Sequence, residues 1–127
     1  MQVSPLIIQH KVDKVADIRV TAFGNKIFGH QIVHTDPSRS TNLDWRTHSL
    51  GELGYKRCTP PHNVREKILL FMKEVGIKFG AFDFCLDKAG DWVFLEVNPS
   101  GQFAWLEIAT GDPLIDVLID LLLEKGN

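Results

Sequence analysis

The chain has 127 residues, 44% hydrophobic and 24% charged, a composition that suits one globular domain with its own core. A formal net charge of −2 argues against a general nucleic-acid or anionic-membrane surface. No apolar stretch approaches the ~20 residues that span a bilayer, and no cationic segment followed by a long apolar one marks a signal peptide.

Taken in chain order, "PLIIQHKV" (5–12) reads as a strand that begins after a proline. "DIRVTAFGNKIFGHQIVH" (17–34) reads as a hairpin with Gly24-Asn25 as its two-residue turn. Pairing Phe23 with Lys26 across that turn sets Arg19 opposite His30. Ile18, Val20 and Ala22 then share a face with Ile27 and Val33. Asp17, Arg19 and His30 share the other face with Phe23, Phe28 and Ile32. Residues 35–62 show no sustained period and are rich in Ser, Thr, Asp, Pro and Gly, so a long loop is expected there. Asn63, with Glu66 three residues on, has the spacing of a capping box. The helix it starts carries Val64, Ile68, Phe71, Met72 and Val75 on one face and closes at Gly76. A second hairpin spans "GAFDFCLDKAGDWVFLEVNPSGQ" (80–102). A short amphipathic segment (102–109) comes next. Asp112-Pro113 is then expected to cap a last helix that ends at Gly126. Strands joined by hairpins predict a mostly antiparallel sheet with helices on one face, an α+β architecture over residues 1–127.

The second hairpin poses the chemical question. With a four-residue loop (Lys88 to Asp91), Asp87 pairs with Trp92 and Asp83 falls directly opposite Glu96, with Asn98 next on that face. Trp92 and Phe94 share the face of Glu96 in this register. Facing carboxylates repel and, when half-buried, resist ionisation. Such a pair is stable if it shares a proton, meets an arginine or lysine, or binds a metal. Two carboxylates and a carboxamide are an oxygen-only donor set, which suits Mg²⁺ or Mn²⁺ and suits Zn²⁺ poorly. Mg²⁺ usually combines one or two carboxylates with substrate phosphates, so the pattern points to a metal–phosphate site on a sheet. The bland alternative is two edge charges followed by a turn at Asn98-Pro99.

Beyond this chemistry, "FDF", "VFLEVNPSGQ" and "WLEIATGDP" closely resemble the C-terminal half of the ATP-grasp superfamily. The nearest likeness is to the branch of ribosomal-protein glutamate ligases and microviridin-type peptide-macrocyclising ligases. The run Asn98, Pro99, Gly101, Gln102, Trp105, Leu106, Glu107, Ala109, Thr110, Gly111 is similar to the macrocyclase-like members almost residue for residue. The resemblance implies that Asp83, Glu96 and Asn98 hold the Mg²⁺ of Mg-ATP. It implies that the backbone of Gln9, His10, Lys11 and Val12 binds the adenine edge, although His10 stands where relatives often carry an acidic residue. Arg19 of "DIRV" matches the family arginine that approaches the phosphates. Arg46 of "DWR" resembles a phosphate- or substrate-side motif. The implied activity is ATP-dependent ligation of a carboxylate to an amine or alcohol through an acyl phosphate, on a peptide or an amino acid. The Gly-x-Gly cluster and phosphate-binding lysines of the family's first lobe have no counterpart here. The sequence therefore resembles the second lobe alone, as a shortened reading frame or a piece of a split or longer protein, and an upstream lobe is an expected partner. A nucleotide-, metal- or protein-binding module without catalysis is the other reading.

The remaining residues are expected to be quieter. His10, His30, His34, His48 and His62 lack a compact metal-ligand spacing and read as polar fillers. Phe103 and Trp105 read as core. Cys58 and Cys85 read as free thiols of a reducing, cytoplasmic compartment, with Cys85 a small buried hydrophobe. With Phe23, Phe28, Trp92 and Phe94 all placed on the polar-lined face, an exposed patch and a homodimer are expected.

Overall fold

The computed structural model describes residues 13–34 and 53–124, so the expected strand at 5–12 and most of the expected loop lie outside the described residues. Five antiparallel strands form one sheet in the order β3-β2-β1-β4-β5. They are β1 (Lys14–Phe23), β2 (Lys26–His34), β3 (Leu53–Cys58), β4 (Phe79–Asp87) and β5 (Trp92–Asn98). Three helices accompany them: α1 (His62–Val75), α2 (Ala104–Thr110) and α3 (Leu114–Leu123). No helix among the described residues is long and apolar enough to cross a membrane. The α+β class and the antiparallel sheet are as the sequence predicts.

The first hairpin forms in the expected register, with Phe23 opposite Lys26 and Arg19 opposite His30. Gly24 takes the left-handed conformation that the tight turn demands, at φ 61°. Its amide donates to the carbonyl of Lys78, which ties the turn to the start of β4. Alternation then sorts the strands into two faces. Ile18, Val20, Ala22, Phe82 and Phe84 form a dry layer with Val64, Ile68 and Met72 of α1. Phe23 packs on the opposite face with Leu106, Leu114 and Val117 of α2 and α3. Helices thus lie on both faces, not on one. The reason is that Phe23, Phe28 and Phe79 make the hairpin-turn end of the second face apolar too, and the apolar sides of α2 and α3 cover it.

Three local expectations change. β3 lies inside the stretch expected to be a loop. It pairs antiparallel with β2, yet Lys56 and Arg57 are exposed, so it carries little of the apolar alternation that marks a strand. The capping box does not form: α1 begins at His62 after Pro61, and no side chain caps it. Its C-terminus does end as expected, with Gly76 left-handed and its amide bonded to the carbonyl of Met72.

The third change is in the second hairpin. Asp87 Oδ1 accepts from the amides of Ala89 and Asp91, both at 2.9 Å, and Gly90 is left-handed at φ 87°. Asp87 therefore faces Asp91 across a three-residue loop, and Leu86 rather than Asp87 pairs with Trp92. A bulge between Phe84 and Asp83 absorbs the offset, so that Leu95 is the extra residue and Asp83 still faces Glu96. Trp92 and Phe94 consequently join Phe84 on the α1 face, with ring centroids 5.5 and 5.7 Å from it. Phe23 is buried under α2 and α3. The patch on which the homodimer expectation rested is therefore not formed.

Ile68 of α1 is 3% exposed within the dry layer. Ile68→Ala is expected to cost about 2–5 kcal/mol, read from the urea midpoint at unchanged slope.

Candidate functional site

Asp83 sits on β4 and Arg19 on β1, neighbouring inner strands in which these two residues pair directly. The two residues are 4% and 5% exposed. Arg19 Nε donates to Asp83 Oδ1 at 2.6 Å and Nη2 to Asp83 Oδ2 at 3.2 Å, a two-pronged contact in which the guanidinium fork matches the carboxylate. Of the three ways to stabilise facing carboxylates, the arginine partner is therefore present. Glu96, opposite Asp83 on β5, is exposed, so water screens the repulsion on its side.

The end of β5 builds a cradle for Arg19. Asn98 Oδ1 accepts from the amide of Ser100 at 2.9 Å and from its hydroxyl at 3.2 Å, an Asx-type turn. The turn lays Gly101 directly on β4, where a Cβ would come within 2.6 Å of the Ala81 Cβ. Only glycine allows that approach. The chain then delivers the carbonyl of Gln102 to Arg19 Nη1 at 3.2 Å. Asn98 thus has a local structural role beside any ligand role.

The structure brings Arg19, Asp83 and Glu96 into one row across the sheet, with Asn98 one step along. Gln9, His10, Lys11, Val12 and Arg46 lie outside the described residues. Among the described residues no three His, Cys, Asp or Glu side chains gather as metal ligands; the candidate set here is two carboxylates and a carboxamide. Cys58 and Cys85 are free, and burial pushes both thiols up from their ordinary value. Phe103 and Trp105 pack in the core as expected.

Two residues carry more than the sequence assigns them. His30 is fully buried, and its Nε2 lies 2.7 Å from Asp112 Oδ2, so it is not a polar filler. Asp112 is not a cap for α3: its other oxygen takes Arg57 Nε at 2.7 Å. Glu107 Oε2 accepts the Ile115 amide at the start of α3 instead, at 2.7 Å. The only sequence signal for His30 is its position opposite Arg19, and for Asp112 there is none.

Removing one partner of a buried ion pair leaves a desolvated charge behind. Arg19→Ala is expected to cost about 3–5 kcal/mol in urea denaturation, against well under about 1 kcal/mol for Glu96→Gln. Gly101→Ala is expected to lift the Gln102 carbonyl from Arg19, which would show as a shift of the Arg19 Nε–H resonance larger than any shift in α1.

No family model and no curated protein match the chain. Solved structures do. The macrocyclase MdnC of Microcystis aeruginosa, bound with the precursor peptide MdnA, is 26% identical with a TM-score of 0.72, the match covering 88% of this chain and 34% of that one. A RiPP-associated ATP-grasp ligase of Chryseobacterium gregarium, in complex with ADP and a leader and core peptide, is 22% identical with a TM-score of 0.81, covering 94% and 36%. The ATP-grasp ligase PsnB, complexed with a phosphomimetic variant of its minimal precursor, Mg and ADP, is 22% identical with a TM-score of 0.61, covering 84% and 33%. The chain spans about a third of the length of these ligases. Its five-stranded antiparallel sheet and three helices have the fold of one lobe of an ATP-grasp peptide ligase.

Proposed function

We propose that the chain is the C-terminal, ATP- and Mg²⁺-binding lobe of an ATP-dependent carboxylate–amine or carboxylate–alcohol ligase that works through an acyl phosphate. Its substrate would be a peptide or an amino acid, and an upstream lobe would complete the nucleotide site. The observation that carries this reading is the pair Asp83 and Glu96, face to face on β4 and β5 beside a buried arginine. Support comes from the matched ligases, whose structures hold ADP, Mg and precursor peptides.

The donor set fits a hard cation. Asp83, Glu96 and Asn98 offer oxygens alone, two carboxylates and a carboxamide, the donor type that a hard cation prefers. These three residues would hold Mg²⁺ or Mn²⁺, which when bound would neutralise negative charge on the nucleotide phosphates. Arg19 holds the Asp83 carboxylate in one orientation, because two of its nitrogens grip that group and a third is fixed by Gln102. Exposed Glu96 meets the incoming ligand first, whereas Asp83 lies deeper. Gln9 to Val12 would take the adenine edge, and Arg46 would join Arg19 at the phosphates.

Mn²⁺ with a non-hydrolysable ATP analogue is expected to broaden NMR signals around Asp83, Glu96 and Asn98 before any others. Equal broadening over the whole surface would reject the site. Glu96→Gln is expected to lower metal–nucleotide affinity by more than the roughly 10–100-fold that loss of an outer-shell partner costs, with the fold intact. Single-turnover formation of ADP separates a ligase from a module that only binds.

A further inference from the structure

One row of side chains crosses all five strands. Arg57 faces His30, His30 faces Arg19, Arg19 faces Asp83, and Asp83 faces Glu96. Directly opposed residues point to the same face, so five ionisable groups stand in line. Their order is cation, imidazole, cation, carboxylate, carboxylate. At a strand spacing of about 4.8 Å, the outer members are roughly 19 Å apart. The acidic end belongs to the proposed metal–nucleotide site. The basic end has a geometry of its own.

Arg57 is held while remaining 62% exposed. Its Nε donates to Asp112 Oδ1 at 2.7 Å and its Nη2 to the carbonyl of Thr110 at 2.9 Å. Asp112 is held in turn by His30 at 2.7 Å. His30 is fully buried, and its Nδ1 has no hydrogen-bond partner, a costly filling for an inner strand if cover were all that was required. Two contacts use two of the five guanidinium donors, and the Nη1–Nη2 edge is left for a ligand. An arginine already fixed in one pose loses little freedom when it binds, and its planar fork matches a carboxylate.

We propose that Arg57 is a second oxyanion-binding residue, that it takes a non-reacting carboxylate of an acidic peptide substrate, and that Asp112 and His30 are its positioning residues. The inference rests on the ligase reading for the identity of the substrate, although the binding it describes is measurable alone.

The experiment titrates the ¹⁵N-labelled chain with N-acetyl-Glu-Ala-Glu-amide, and with its Gln-Ala-Gln counterpart, at low ionic strength. Saturable shifts of the Arg57 Nε–H and of the Thr110 to Asp112 amides by the acidic peptide alone are expected. Arg57→Gln is expected to weaken binding about fivefold to tenfold. His30→Gln, which can still donate to Asp112, is expected to keep the affinity within about twofold, while His30→Leu loses several times more. Shifts spread evenly over exposed lysines and arginines overturn the proposal, as do equal shifts by the Gln-Ala-Gln peptide. Equal losses in both His30 variants overturn the positioning role. A Mg²⁺–ATP analogue that shifts Arg57 in place of the peptide makes it a phosphate ligand and overturns the proposal too. Mn²⁺–nucleotide broadening at Glu96 is read on the same sample. Broadening there without peptide shifts at Arg57 refutes this inference alone, and the converse refutes the metal–nucleotide reading alone.

Discussion

The buried contact between Arg19 and Asp83 organises everything around it. It joins two of the three inner strands of the sheet, and it desolvates a full charge of each sign. Breaking such a pair is costly, yet an apolar pair of similar volume often serves stability equally well. In the proposed site the ionic form has a use beyond holding the sheet together. Arginine gives the carboxylate below the surface a partner of opposite charge, directly across from a second carboxylate at the surface. The cradle formed by Asn98, Gly101 and Gln102 exists to complete that arrangement, because the third guanidinium nitrogen needs an acceptor.

The two faces of the sheet divide the work. Against α1 lies a dry layer of Ile, Val, Ala and Phe. The other face is apolar at its hairpin-turn end, under α2 and α3, and ionisable across the middle. The bulge at Leu95 makes this division possible in β5. It turns Trp92 and Phe94 toward the apolar layer while Glu96 stays beside Asp83. A β5 without the extra residue would send one set or the other to the wrong side, since a one-residue slip reverses every side chain. At the rim of this layer, Phe84, Trp92 and Phe94 border an open cleft against Val64, Ile68 and Phe71, on the face away from the carboxylates.

Much of this was written locally. Alternation over 17–34 and a Gly-Asn turn fixed one register, and with it the pairing of Arg19 and His30. The acidic interruptions of an apolar hairpin marked Asp83 and Glu96, and their facing position holds although the loop beside them is one residue shorter than the spacing predicts. The cause is physical: the three-residue turn nucleated by Asp87 shifts the register by one residue, and the bulge shifts it back. The apolar stripe of α1 and its glycine stop were likewise visible, because both depend on neighbours within a few residues.

By itself, then, the amino-acid sequence determined the α+β class, the hairpin pairings nearest their turns and the acidic pair. Tertiary structure decided the rest. β3 forms because β2 offers it a backbone edge, which no side-chain pattern of its own announces. The partners of Asp112 are His30, 82 residues away, and Arg57 on β3, so it reads locally as a cap while its carboxylate is used elsewhere. Arg19 and Asp83 meet 64 residues apart, when two hairpins are laid side by side. Short-range order is set by turn chemistry and side-chain period, which a sequence displays. Which distant charge satisfies which is settled only when the sheet closes and water leaves the space between them.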